Sequence, residues 1–323
     1  MSNVIYEDKY FNEEVKKEFI EQYGAGTQKL IARMFKISNA IESDLEKDVY
    51  DFTREELRRL MFLYAPTTEN SSKHNVSWIS KYIDWAIEEG HVNGLNPLDL
   101  VPKDWASQFV NKTLKKYWTD KEINQIIDKC ANAQDAVIIS LLYEGVWGEG
   151  HSEILGLAKP HVDAFNNTLH LSDENGNKRS IVVSDKCIKL CEQALREDTY
   201  EKMNGNTSPD NRADQANLIE NDYVVRSAKT NTKHIYESEK NVVYRRLTKI
   251  ANELNEPQFQ PRNIAYSGML FRAKELYQER GQLDKEEYAL IAERFNFNLD
   301  QSLTRIKNEF LNVETIKELY QLT

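Results

Sequence analysis

The sequence predicts a mainly α protein of two domains, with a small antiparallel β-sheet in the second. Three observations predict it. At 323 residues the chain is longer than the roughly 250 to 300 residues that a single hydrophobic core serves, so two cores are expected. Apolar stripes at helical spacing, introduced by capping residues, run through most of its length. The chief strand signal is one Asn-Gly turn set between two β-prone runs. The domains are expected at residues 1–111 and 112–323.

In the first hundred residues, Thr27 is expected to cap a helix whose apolar positions Leu30, Ile31, Met34, Phe35 and Ile37 follow the i, i+3, i+4, i+7 pattern. Thr53 with Glu56 forms a capping box that opens Arg54 to Tyr64, and Pro66 lies just past the end. Ser71 or Ser72 is expected to cap the next helix, with Val76, Ile79, Ile83, Trp85 and Ile87 as its buried stripe and Gly90 closing it. Gly94, Asn96 and Pro97 mark a break. Lys112, Lys115 and Lys116 then make a short basic linker.

The second domain opens with a helix from Thr119 to about Ala131. The run Ala136 to Tyr143 is apolar all round, which predicts a central helix. Thr168 to Leu171 and Arg179 to Val183 read as a hairpin around Asp173 to Asn177. Residues 201–221, with Asn204, Gly205, Asn206, Ser208, Pro209 and Asp210, read as a loop or insertion. Helices are expected over Ser238 to Asn255, Pro261 to Gln278 and Lys285 to Phe295, with two more after Asn298 and Asn312.

Composition narrows the function classes. With 40% hydrophobic and 29% charged residues, the chain reads as globular, and no apolar run reaches the roughly 18 residues of a membrane span. Its first thirty residues lack leader chemistry, so a cytoplasmic, nucleoid-associated protein is expected. Cys130, Cys187 and Cys191 suggest neither a disulfide framework nor a metal site, and no cofactor is expected. The net charge of -10 opposes indiscriminate polyanion binding, so any nucleic-acid site must be a local basic face. Acids gather at Glu42, Asp44, Glu46, Asp48, Asp51, Glu55 and Glu56. From Val224 to Lys249, Arg226, Lys229, Lys233, Lys240, Arg245, Arg246 and Lys249 face only Glu237 and Glu239, which suits a phosphate-facing surface.

Several phrases resemble the tyrosine recombinase (phage integrase) superfamily, and the likeness spans nearly the whole chain. Gly94-Leu95-Asn96-Pro97 resembles the exit of its core-binding domain, and Trp118-Thr119-Asp120-Lys121-Glu122-Ile123 its "Leu-Thr-x-x-Glu-Ile" opening. Trp147 to Leu157 resembles "Thr-Gly-Leu-Arg-Ile-Ser-Glu-Leu-Leu-Gly-Leu", and Gln260 to Ser267 resembles "Thr-Pro-His-Asp-Leu-Arg-His-Ser". Ile291 to Ile306 resembles the segment carrying "Leu-Gly-His" and, some nine residues on, the nucleophilic tyrosine. The resemblance implies a helical SAM-like core-binding domain followed by a catalytic-like domain.

It also implies lost chemistry. The first catalytic arginine falls on Gly150, the histidine of His-x-x-Arg on Arg262, the second arginine on Ala265, the later histidine on Phe297, and the tyrosine on or near Ile306. Lys178 stands at the hairpin lysine as a relic. Without a tyrosine nucleophile no covalent phosphotyrosine forms, and each missing electrostatic donor is worth roughly 10²–10³ in rate. Tyr320 is expected to pack a terminal helix with Ile316 and Leu319 instead of replacing the nucleophile. Among such inactive members the chain resembles the lysogeny repressors of SPbeta-group Bacillus prophages. The implied function is a sequence-specific transcriptional repressor that holds operator DNA in an integrase-fold clamp without cutting it.

The expected partner is double-stranded operator DNA, with a small protein or peptide regulator left open. Lys29, Arg33 and Lys36 share a helix face, and Asn70, Ser71, Lys73, His74 and Ser77 lie at a helix N-terminus that favours anions. Lys112, Lys115, Lys178, Arg179, Arg226, Lys229, Lys233, Arg245 and Arg262 complete the candidate contacts, with Arg262 shaped for bidentate phosphate or guanine contact. Trp78, Trp85 and Trp147 are expected in the core. Two other readings stay open: an active recombinase with displaced catalytic residues, and an accessory protein that bridges DNA.

Overall fold

The computed structural model describes residues 9–206, 213–229 and 236–322. The chain divides into two compact units, Met1–Leu114 and Lys115–Thr323. Each has its own core, and each is mainly helical.

The first unit holds α1 (Glu13–Glu21), α2 (Ala25–Leu45), α3 (Arg54–Tyr64) and α4 (Glu69–Glu88). The Thr53 and Glu56 capping box opens α3 at the residue expected from sequence. Two other caps lie elsewhere. Gly24 precedes α2, which leaves Thr27 inside the first turn, and Leu30 is exposed while Ile31, Met34, Phe35 and Ile37 are buried. Thr68 caps α4 through the backbone NH of Ser71, because Ser72 is buried and donates to the Ala106 carbonyl at 2.6 Å. Aromatic rings fill the core, with Phe35 and Tyr82 edge-on at 4.7 Å and Phe19 against Tyr82 at 5.1 Å.

Beneath these rings lies an ionic cluster. Lys16 of α1 is fully buried and reaches Glu42 at 2.5 Å, Asp48 at 3.0 Å and the Phe11 carbonyl at 2.7 Å. Ser38 donates to Glu42, and Tyr82 donates to Asp48 at 2.9 Å. One ammonium thus serves two carboxylates, and burial pushes the Glu42 carboxyl up to about 7 against the pull of Lys16.

The second unit is organised around α6 (Ala133–Glu144), in which every residue from Gln134 to Leu142 is buried. Around it stand α5 (Asp120–Asp128), a short α7 (Ser152–Leu155), α8 (Asp185–Arg196), α9 (Asn241–Glu253) and α10 (Pro261–Arg280). The chain ends in α11 (Lys285–Arg294), α12 (Leu299–Glu309) and α13 (Val313–Tyr320), the last two capped by Asn298 and Asn312. α10 presses on the end of α6 at Gly268, where a Cβ would stand 1.9 Å from the Tyr143 carbonyl oxygen.

The expected hairpin is β2 (Thr168–Ser172) with β3 (Lys178–Val182), paired antiparallel with Leu169 opposite Ile181. Asp173 closes its turn by accepting from the backbone NH groups of Asn175 and Asn177, both at 2.9 Å. A short β1 (Val162–Asp163) joins this sheet, giving the order β1-β2-β3. The stretch read as a loop after residue 200 carries structure of its own. β4 (Thr199–Glu201) pairs with β5 (Gln215–Asn217), and the Pro209 part of that reading lies outside the described residues. α5 also stops at Asp128, short of Ala131, and α9 starts at Asn241 instead of Ser238.

Candidate nucleic-acid interface

In the first unit, Asn70, Lys73, His74 and Ser77 are all exposed. Their i, i+3, i+4, i+7 spacing on α4 places them on one helix face, opposite buried Ile79 and Ile83. Lys81 extends this face one turn further, its ammonium 4.5 Å from the Trp78 ring centre. The sequence reading missed Lys81, although its spacing of four from Ser77 was visible. Ser71 is exposed, but its NH already serves the Thr68 cap, so that donor is not open to an anion. Lys73 lies 3.6 Å from Glu69 across one exposed turn, a contact too weak to hold it. On α2, Lys29 and Arg33 are exposed and Lys36 is half-buried, again on a common face. Lys112 is exposed. Trp85 is buried in the core and Trp78 packs against it.

The second unit corrects several expected contacts. Lys115 is bound to Glu122 at 2.5 Å, where it props the first turn of α5. Arg179 grips Glu153, with Nε and Nη2 each at 2.6 Å, and donates to the carbonyls of Arg294 and Gly145 at 2.7 Å. Arg226 is buried and donates to the Ala194 and Glu197 carbonyls, while its own NH donates to Gln134 at 2.7 Å. Arg246 beside it is buried against Asp135 at 3.5 Å, and Lys249 lies over the Tyr200 ring. Burial pushes both guanidinium pKa values down and that of Asp135 up. Arg179, Arg226 and Arg246 are therefore spent on holding the fold together, while Lys115 and Lys249 are only half-buried. Of the basic stretch, Lys229, Lys240 and Arg245 remain exposed, and Lys233 lies outside the described residues.

The positions matched to recombinase chemistry divide in the same way. Gly150 sits in an exposed turn with φ 60°. Arg262 is exposed in the first turn of α10, behind Pro261, where backbone NH groups are open. Lys178 is exposed at the start of β3. Ala265 is 1% exposed and Ile306 is 3% exposed. Ile306 belongs to a core with Tyr288, Ile291, Phe310 and Ile316, and Phe297 packs against that core. The Tyr320 ring lies against this core, with Lys274 4.6 Å from its centre. Burial raises the Tyr320 phenol, the reverse of what a nucleophile needs.

One ring in this region was not singled out from sequence. His151 is buried between Trp147 and Tyr244, with ring centres 5.5 and 4.9 Å away. The cysteines are free thiols, Cys187 and Cys191 buried and Cys130 half-buried. Among the described residues no three His, Cys, Asp or Glu side chains are grouped to hold a metal ion, and no helix is long and apolar enough to cross a membrane.

Comparison with known proteins bears on both units. A family model described as "MrpR, C-terminal catalytic domain" matches residues 117–321, and one described as "MrpR, N-terminal core-binding domain" matches residues 10–88. The chain is 29% identical to the SPbeta prophage-derived uncharacterized protein YopR of Bacillus subtilis (strain 168), over 96% of each chain. Among solved structures it is similar to a lambda integrase dimer bound to a COC' core site, at 12% identity and TM-score 0.51, covering 90% of this chain and 93% of that one. It is also similar to the Tn1549 transposon integrase in complex with transposon right-end DNA, at 11% identity and TM-score 0.49, covering 95% and 98%. The fold is that of the tyrosine recombinases: a core-binding domain followed by a catalytic-type domain with a small antiparallel sheet.

Proposed function

Since the chain belongs to the MrpR family, we propose that it is a sequence-specific repressor that binds double-stranded operator DNA and maintains prophage lysogeny without cutting the duplex. The observation that carries this reading is the fate of the nucleophile position. Ile306 is packed in the core of the second unit, so no hydroxyl at that position can reach a phosphate. The two arginine positions hold Gly150 in an exposed turn and Ala265 in the interior. A recombinase needs these groups at once, because attack and charge neutralisation occur in one transition state.

What remains suits binding. The α4 face of Asn70, Lys73, His74 and Ser77 offers donors and one cation at the spacing of a groove-reading helix. Arg262 at the mouth of α10 joins a guanidinium to open backbone NH groups, a good setting for a phosphate. Kinship with a prophage-derived protein supports the lysogeny role. A protein of this kind works in the cytoplasm, on the nucleoid.

The test is genome-wide occupancy in the lysogen, with footprints on the occupied fragments and transcript levels after depletion. A few discrete footprints upstream of prophage genes that are induced on depletion support the reading. Diffuse occupancy with unchanged prophage transcription would overturn it in favour of a DNA-bridging accessory protein.

A further inference from the structure

The turn between α6 and α7 holds a buried ring whose polar atoms are left unsatisfied. Gly148, Gly150 and His151 have φ of 70°, 60° and 68°. Two glycines adopt that region freely, whereas a histidine is strained there. His151 is 2% exposed, and neither ring nitrogen has a hydrogen-bond partner among the described residues. Burial alone pushes its pKa down to about 4, so the enclosed ring is neutral. A phenyl ring of similar size would fill the same space without two unsatisfied nitrogens. A strained backbone and an unsatisfied buried ring at the same residue point to a second arrangement in which those nitrogens are used.

The surroundings indicate what they meet. A Cβ on Gly150 would find only the Lys240 side chain within 4 Å, at 3.9 Å, so the turn borders open space and one exposed lysine. On the α9 side the ring touches Tyr244, which is 49% exposed and can rotate without unpacking the core. The other charged groups near the turn are Arg179 and Arg294, each already paired with a carboxylate, and further carboxylates. Glu153 is held by Arg179, the carboxyl of Glu174 on the hairpin turn is raised by desolvation and then by neighbouring Glu149, and Glu237 approaches Gly156. None of them hydrogen-bonds the imidazole.

We propose that His151 is a concealed phosphate ligand, exposed when Tyr244 swings aside and protonated as it meets a DNA backbone phosphate beside Lys240. The inference rests on the DNA-binding reading above. The neutral imidazole takes one proton from solvent, and the imidazolium donates an N–H to a phosphate oxygen. Its pKa is low in the free chain and higher in the complex, so binding takes up protons. Affinity therefore rises as pH falls from about 7.5 to about 5.5 and is lost as pH climbs through the pKa of the complex.

The experiment titrates the full chain with a mixed-sequence duplex of about 30 base pairs across that pH range, and repeats it calorimetrically in two buffers of different protonation enthalpy. Wild type is expected to take up close to one proton more than a His151→Phe variant. His151→Phe is expected to melt higher as a free protein and to bind about tenfold more weakly at low pH, the effect of one charge-assisted contact. His151→Gln, a neutral hydrogen-bonding side chain, is expected to lose the proton uptake too, and it keeps the test standing if the phenyl variant misfolds. Equal affinity and equal proton uptake in wild type and both variants would overturn the inference alone. A wild-type chain that binds no duplex at any pH would overturn the DNA-binding reading, and this inference with it.

Discussion

Arg179 and Glu153 meet through two parallel contacts, Nε to Oε1 and Nη2 to Oε2, both at 2.6 Å, with the carboxylate side chain only 1% exposed. The remaining guanidinium nitrogen donates to the Arg294 carbonyl, so this one residue ties β3 to the α6–α7 turn and to the end of α11. Arg179→Ala should therefore act on folding. Leaving Glu153 buried and unpaired is expected to cost about 3–5 kcal/mol, seen as a lower melting temperature. Arg179→Lys should fail as well, because an ammonium cannot reproduce the fork. Lys178→Ala next door, exposed and not part of that fork, should leave the melting curve unchanged. A wild-type melting temperature for Arg179→Ala would show that the fork does not hold the hairpin.

Covalent capture tests the proposal that the chain does not cut DNA. A nicked or phosphorothiolate duplex should yield no protein adduct with wild type, and Tyr320→Phe should change neither this result nor DNA affinity. The Tyr320 hydroxyl is buried and its ring packs against the core under α10. A trapped adduct that vanishes with Tyr320→Phe would establish the active-recombinase reading.

Arg262 and Lys229 should report different kinds of contact. Both are exposed, but Arg262 stands at the N-terminus of a twenty-residue helix, whereas Lys229 lies outside any helix and its backbone NH donates to the Asn217 carbonyl. Lys229→Ala should weaken all duplexes alike and reduce the salt slope by about one. On the proposed DNA-binding reading, Arg262→Ala should cost about 1–3 kcal/mol, the loss of a guanidinium that would act with helix-end NH groups on one phosphate. Titrations at several salt concentrations decide the matter. Wild-type affinity in Arg262→Ala would mean that the mouth of α10 does not meet DNA.

Restoring the two arginines should have unequal outcomes. At Gly150 the nearest atom to a new Cβ is Lys240 Cδ at 3.9 Å, so Gly150→Arg has room, at the cost of a strained φ. It should fold and raise non-specific DNA affinity. Ala265→Arg would force a long cation into a site that is 1% exposed, and it should yield little soluble protein. Expression level and circular dichroism of the two variants check this.

The Lys16 cluster predicts a pH-dependent first unit. The Glu42 carboxyl has a folded pKa of about 7, above its unfolded value, so the folded state holds the proton more tightly. That contribution is complete below about pH 4.5 and is lost as pH rises through about 7. Glu42→Gln should remove the decline in melting temperature over that interval. Lys16→Met, which leaves two buried carboxylates without a counter-charge, should cost about 3–5 kcal/mol at neutral pH. An unchanged pH profile in Glu42→Gln would place the titration on another group.

The sequence by itself determined the elements whose signals are local. A capping box needs only Thr53 and Glu56, three residues apart, and it opens its helix where the sequence placed it, as the helix after Thr119 also does. The hairpin was equally legible, since Asp173 organises its own turn from within five residues. Tertiary structure alone decided which cations are free. Arg179, Arg226 and Arg246 look like exposed basic residues in sequence, yet each is claimed by a carboxylate or by carbonyls contributed from far along the chain. Lys16 and His151 gave no sequence sign of burial, because burial of a charge or an imidazole is a property of the elements that close over it. Caps and turns are satisfied within a few residues and so are written locally. The partner of a buried ion is supplied by the packing of distant segments, and only the folded chain brings the two together.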